Sequence, residues 1–217
     1  MGKIIRLSVI LTIITLISSF GLAKLYQVTK PQIELIKKQK VNDALKLVLP
    51  EAGDIVPVSR QIPIKDPSGQ IVAHNEIVEY YIGYKNETHG EITGYAIKAV
   101  KSGYETNIET IVGINREGVI QKIKIIDQKE TPGLGARCIE NQPVNPDKKV
   151  WTTEQFVGKT RDQMKVDKDG GEITSITGAT ITSRAVTASI KEALDHVLKK
   201  IQPADSLESN ITENIGE

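Results

Sequence analysis

The feature that most restricts this chain is an uncharged apolar run over residues 7–23. Lys3 and Arg6 precede it and Lys24 closes it. At about 1.5 Å rise per residue, a helix over this run is roughly 26 Å long. A bilayer's hydrocarbon core is about 30 Å thick. Ile4 and Ile5 extend the run, and the flanking lysine and arginine side chains can snorkel to the interface. A cleaved signal peptide is the rival reading, with Gly21 and Ala23 as small residues near a cut site. The run is long for a signal-peptide core, which favours a retained anchor over residues 1–29. Positive charge does not orient it cleanly. Lys24, Lys30, Lys37, Lys38 and Lys40 follow the run, offset only by Glu34. Counted plainly they would place that side in the cytoplasm, but the rule weakens for a long translocated domain.

Beyond the anchor, roughly 190 residues remain, the size of one soluble domain. Aromatic residues make up 4% of the chain, so its core must be aliphatic. The net charge of +1 gives no electrostatic case for a nucleic-acid partner. Cys138 is the one cysteine, which forbids an internal disulfide and a cysteine-ligated cluster. His74, His89 and His196 have no ligand spacing, so no metal site is expected.

The periodicity predicts an α+β domain over residues 30–201. An amphipathic helix over residues 31–49 carries Ile33, Ile36, Val41, Leu45 and Val48 on one side and stops at Pro50. Its lysines Lys37, Lys38 and Lys40 read as a solvated face. Strand-like pieces fill residues 54–80, with a turn at Asp66, Pro67, Ser68 and Gly69. Two hairpins follow. One pairs residues 79–84 with 92–100. The other pairs the alternating Ile108, Thr110, Val112 and Ile114 with Ile123 and Ile125. Ser102, Gly103 and Tyr104 form the loop between them. Val186, Ile190, Leu194, Val197 and Ile201 then recur at helical spacing. From Gln202 the chain has Asp205, Glu208, Glu213 and Glu217 with no lysine or arginine, the composition of a disordered acidic tail over residues 202–217. Helix, strands and helix in that order argue for a largely antiparallel sheet with flanking helices.

The segment just before that last helix carries most of the functional information. It reads Thr174, Ser175, Ile176, Thr177, Gly178, Ala179, Thr180, Ile181, Thr182, Ser183. A small-residue turn holds hydroxyls on both sides, and Thr182 or Ser183 is a candidate N-cap. Thr180 then sits just before a helix N-terminus, where unpaired amides and the helix dipole stabilise a phosphate. On the residues alone, a Thr/Ser-rich turn that only caps a helix is the favoured reading, because such turns are common. No histidine or carboxylate adjoins the hydroxyls in sequence, so another enzyme would have to modify a threonine here.

Thr177, Gly178, Ala179 and Thr180, with the Ile-Thr-Ser-Arg-Ala-Val continuation, resemble the Ser/Thr-Gly-Ala-Thr motif of FMN-binding domains. Thr174 stands where the strictest form of that motif has aspartate. A second segment, Lys129, Glu130, Thr131, Pro132, Gly133, Leu134 and Gly135, resembles a loop of the G subunits of Rnf-type electron-transfer complexes. Those subunits often have histidine where this chain has Gln128. The C subunit of the sodium-pumping NADH:quinone reductase has a similar loop. Trp151, Phe156, Val157, Gly158 and Lys159 fall on a third stretch of the family pattern.

The resemblance implies a single N-terminal transmembrane helix followed by an FMN-binding domain outside the cytoplasm. It implies FMN joined through its phosphate to Thr180 by a separate Mg-dependent flavin transferase. Thr177, Gly178 and Ala179 would shape the acceptor turn. Glu130, Thr131, Gly133, Leu134 and Gly135 would form the opposing wall, with the two glycines offering positive φ and close backbone approach. A side chain at either glycine would obstruct the flavin ring. The implied function is electron relay within an ion-translocating ferredoxin:NAD oxidoreductase complex. Other membrane and iron-sulfur subunits would be its partners, and this chain alone would have no complete active site. Two other readings stay open. One is a C-type quinone-reductase subunit, or a flavin module feeding another reductase. The other is a non-redox anchored scaffold.

Overall fold

The computed structural model describes the backbone of residues 2–65, 70–140 and 151–213. Side chains are described over the same ranges as far as residue 201, apart from 65, 72 and 73. The expected turn at Asp66 to Gly69 lies outside the described residues.

The first element, α1, is one continuous helix over Gly2–Val48. Its apolar window has a mean hydropathy of 2.0 and buries none of its surface in the protein. A helix that is apolar all round and uncovered is a membrane span. One expectation changes here. Pro31 does not open a second helix but lies inside the first. Proline removes one backbone donor without forcing a full break. The compact division of the chain falls between Asn42 and Asp43, inside α1. The physical reason is burial: the last turns of α1 bury Ala44, Leu45 and Val48, and Leu49 follows them into the core.

The unit from Asp43 onward is built on a five-stranded antiparallel meander. Its strands are β1 (Asp54–Lys65), β2 (Ile71–Tyr84), β3 (Ile92–Ser102), β4 (Asn107–Ile114) and β5 (Ile120–Asp127), paired in chain order. The two expected hairpins are both present, and β3 joins them by pairing with β4 from Tyr95–Ile114 to Ser102–Asn107. The β4–β5 turn closes with the amide of Gly118 donating to the Asn115 carbonyl at 3.1 Å.

The last helix, α2, runs over Thr180–Glu213. It lays Val186, Ile190, Leu194 and Val197, all fully buried, against the alternate residues Ile97, Ala99, Ile108, Val112 and Ile114 of β3 and β4. Short 3-10 turns between β5 and α2 add Phe156, Met164 and Ile173 to this core. On the other face the end of α1 sits on the sheet, where Val48 abuts Gly113. The backbone of α2 continues past Gln202, so the helix does not end where the sequence reading begins a disordered tail. The fold class is α+β, a membrane helix followed by an antiparallel sheet with flanking helices.

Candidate cofactor cleft

The chain reaches α2 through a segment pinned residue by residue. Gln155 accepts from the Thr174 amide at 2.7 Å and donates to the Thr174 carbonyl at 3.4 Å. Asp167 accepts from the Ser175 amide at 3.1 Å and from its hydroxyl at 2.5 Å. The Ser183 hydroxyl accepts from the Ile176 amide at 2.9 Å and donates to the Ala179 carbonyl. Only then does the chain turn outward. Thr177 and Gly178 are exposed, and Gly178 has φ +79. Beside the turn, Arg184 forms a two-point ion pair with Asp169, the shortest contact being 2.6 Å.

Thr180 is the first residue of α2, so the helix begins earlier than a cap at Thr182 or Ser183 would start it. Neither Thr182 nor Ser183 is the N-cap, because the helix has already begun; both are buried in its first turn. Ser183 is the first helix residue whose amide is paired back, to the Ala179 carbonyl at 3.1 Å. No partner among the described residues is assigned to the amides of Thr180, Ile181 and Thr182, and Ala179 has no side chain to cap them. The Thr180 hydroxyl is half-buried and makes no hydrogen bond among the described residues.

The glycine loop comes from the other side. It leaves β5, turns at Gly133 with φ +75, and enters a 3-10 turn over Gly135–Ile139. Glu130 is its anchor and is 4% exposed. Its carboxylate accepts from the Thr182 hydroxyl at 2.6 Å and from the amides of Tyr104, Glu105 and Thr106 at 3.1, 3.0 and 3.3 Å. Burial alone would raise its pKa. These four donors outweigh burial and hold the carboxyl below the usual carboxylate range. Thr131 continues the junction by donating to Glu105 at 2.8 Å.

The two segments enclose a cleft of about 560 Å³, in the range of small-molecule sites. Glu130, Thr131, Leu134 and Gly135 line one side, and Gly178, Ala179 and Thr180 line the other. Seven of the sequence-predicted residues therefore meet, although the two groups are far apart in the chain. Two do not line the cleft: Thr177 and Gly133. The glycines also divide the work expected of both. Gly133 supplies the positive φ, and a side chain there would meet open space. Gly135 supplies close approach instead. A Cβ on it would lie 2.6 Å from the Thr182 hydroxyl and 2.7 Å from the Glu130 carboxylate. An obstructing side chain at Gly135 would thus strike this protein's own junction first.

Sequence reasoning missed three lining residues: Tyr104, Ile181 and Thr182. Ile181 had a signal, being an apolar residue off the buried face of α2. It is 52% exposed, Leu134 is 44% exposed and Tyr104 is 69% exposed, so the mouth of the cleft carries uncovered apolar surface. Trp151 and Phe156 lie elsewhere. They are buried in the core at 5.7 Å in an edge-on pair, and the Trp151 indole donates to the Cys138 carbonyl at 3.0 Å. Burial and the nearby Glu130 charge push the Cys138 thiol up to about 12. Among the described residues, no three His, Cys, Asp or Glu side chains form a metal-sized cluster.

Chemically, the cleft is a holding site. Its one carboxylate is occupied by four donors, which leaves it unsuited to act as a general base. It offers instead a hydroxyl and a helix start whose amides have no partner among the described residues, and apolar walls.

Comparison with known proteins agrees with this geometry. Residues 103–195 match the model of the FMN-binding domain. The span contains both walls of the cleft. The G subunit of the Na(+)-translocating ferredoxin:NAD(+) oxidoreductase complex of Acetobacterium woodii is 36% identical over 204 residues, covering 88% of this chain and 90% of its own. The G subunit of the ion-translocating oxidoreductase complex of Methanosarcina acetivorans is 30% identical, covering 90% of this chain and 95% of its own. The crystal structure of Shewanella oneidensis NqrC aligns at a TM-score of 0.41 with 14% identity, over 70% of this chain and 74% of that one, too distant to carry an argument. On the strength of the two relatives matched over nearly their whole length, the chain is a single-pass membrane protein that belongs to the family of G subunits of ion-translocating oxidoreductase complexes.

Proposed function

We propose that this chain is the flavin-bearing electron-relay subunit of an ion-translocating ferredoxin:NAD oxidoreductase complex, with FMN joined through its phosphate to Thr180. The residues of the cleft fit that group. The amides of Thr180, Ile181 and Thr182 have no partner among the described residues, and a helix start favours the charge that a phosphate ester on the Thr180 hydroxyl would bring. Leu134, Ile181 and Tyr104 offer the apolar surface that a planar ring requires. FMN, when bound, supplies one- and two-electron redox chemistry. The protein's own part is to hold and orient. Gly178 makes the outward turn, the Gln155, Asp167 and Ser183 bonds keep that turn in register, and Glu130 sets the distance between the walls.

The observation that carries the reading is that Thr180, whose hydroxyl has no hydrogen bond among the described residues, lines one cleft at the start of α2 together with the apolar Ile181 and Leu134. A flavin transferase outside this chain would make the bond, since no activating base is bonded to Thr180 among the described residues. Iron-sulfur and membrane subunits would supply the neighbouring electron and ion steps, and the domain would stand outside the cytoplasm. Peptide mass spectrometry of the membrane-extracted protein tests the attachment. The tryptic peptide containing Thr180 should carry one FMN as a phosphoester, and Thr180→Val should abolish in-gel flavin fluorescence in a folded protein. Covalent flavin persisting in that variant overturns the assignment. A reporter fused after Ile201 should be active only as an extracytoplasmic reporter, and cytoplasmic activity would reverse the orientation.

A further inference from the structure

We propose that Glu130 is the positioning residue of the cleft: an acceptor-only carboxylate that locks the glycine loop to the first turn of α2 and sets a fixed negative charge beside the bound redox group. This inference rests on the flavin reading above, and goes beyond it in assigning Glu130 a role other than that of a wall.

The argument begins with the partners. All four are donors. Oε1 accepts the amides of Glu105 and Thr106, while Oε2 accepts the amide of Tyr104 and the hydroxyl of Thr182. Glutamine has the same shape but would turn an NH2 group toward one of these pairs, so that a donor would face an amide donor. Only a carboxylate meets all four. Gly103 and Gly135 close around it. A Cβ at Gly103 would lie 2.6 Å from Oε1, and one at Gly135 would lie 2.7 Å from Oε2. The two glycines and the carboxylate form one packed unit, and Gly135 in turn begins the 3-10 turn behind the cleft.

The second point is the charge. No lysine, arginine or histidine forms an ion pair with Glu130 among the described residues. Its titratable neighbours are the Cys138 thiol, held protonated by burial, and the Glu105 carboxylate, itself bonded to Thr131. Among the described residues, neutral donors alone sustain the buried anion. Glu130 lines the cleft, so an electron added to a group there meets an uncompensated negative charge in a poorly screened site. Such a charge lowers the group's reduction potential, holding it as a ready donor.

The test uses the full-length, membrane-extracted protein in three forms: wild type, Glu130→Gln and Thr182→Val. Flavin redox titration should show Glu130→Gln raising the potential, with about a tenfold higher ratio of reduced to oxidised flavin at a fixed potential. Thr182→Val removes one hydrogen bond but keeps the charge, so its ratio should stay within about twofold of wild type. Equal shifts in the two variants, or no shift in Glu130→Gln, would overturn the electrostatic role. Acid unfolding of the flavin-free Thr180→Val background gives a readout that needs no flavin. The Glu130 carboxyl is depressed in the folded state, so its stabilisation is complete above its unfolded value of about 4.3 and is lost as pH falls through the folded value. Adding Glu130→Gln should remove that loss, and adding Thr182→Val should narrow its window. If Glu130→Gln fails to fold, the narrowed window in Thr182→Val decides the positioning role, and an unchanged window overturns it. A wild-type protein without flavin would overturn the relay reading and the electrostatic role together, while acid unfolding would still decide the positioning role.

Discussion

Strands β3 to β5 and the outer hairpin of β1 and β2 belong to one meander, yet they are held in different ways. In β4, Ile111, Val112 and Ile114 are fully buried, because α2 covers one face and the end of α1 covers the other. The hairpin pairs with itself along the whole of β1, but β2 meets β3 only from Tyr81 to Tyr84. Beyond that point Ile64 and Ile77 are 46% and 45% exposed. Both regions have strand-forming sequences. The difference lies in what covers them, since a two-stranded ribbon by itself is only marginally stable. The cleft stands on the covered region, built from the loop after β5, the loop after β3 and the start of α2. A site that must hold a cofactor in fixed geometry is thus placed on the rigid part of the sheet.

This contrast can be broken or sharpened by substitution, read by chemical unfolding of the detergent-extracted chain. The largest effect is expected at Leu194, fully buried in α2. Leu194→Ala should cost about 2–5 kcal/mol, and a cost below about 1 kcal/mol would mean that α2 does not clamp the sheet. Next is Gly135→Ala, whose Cβ has no room beside Glu130 and Thr182. It should cost about 1–3 kcal/mol and reduce flavin incorporation. Wild-type stability with full flavin content would show that the junction is plastic. Gly133→Ala meets open space and pays only for its positive φ. About 1 kcal/mol is expected, with flavin content unchanged, and a larger effect than at Gly135 would reverse the roles given to the two glycines. The smallest change is expected at the uncovered hairpin. Ile77→Ser should stay within about 0.5 kcal/mol in the isolated chain. A cost comparable to that at Leu194 would show the hairpin to be as firmly packed as the inner strands.

Much of the fold and the site was legible because it rests on local patterns. The membrane span follows from a charge-free run, the two hairpins from alternation around polar turns, and α2 from five apolar residues at helical spacing. The two motifs flanking the cleft were readable for the same reason: each is a short continuous segment. The joint between them was not. Nothing in the spacing of Glu130 and Thr182, more than fifty positions apart, indicates a hydrogen bond of 2.6 Å.

By itself, then, the sequence determined that the chain carries an apolar membrane helix, that its domain is α+β, and where the threonine-rich turn before α2 and the glycine loop lie. Those properties are set by nearest neighbours and periodicity. Tertiary structure decided the rest. It made Glu130 a junction as well as a wall, gave Gly133 and Gly135 different duties, left Thr177 outside the cleft, brought Tyr104 and Ile181 to its mouth, and carried α1 through Pro31. Each of these depends on which distant surface packs against which, and local propensity carries no information about that.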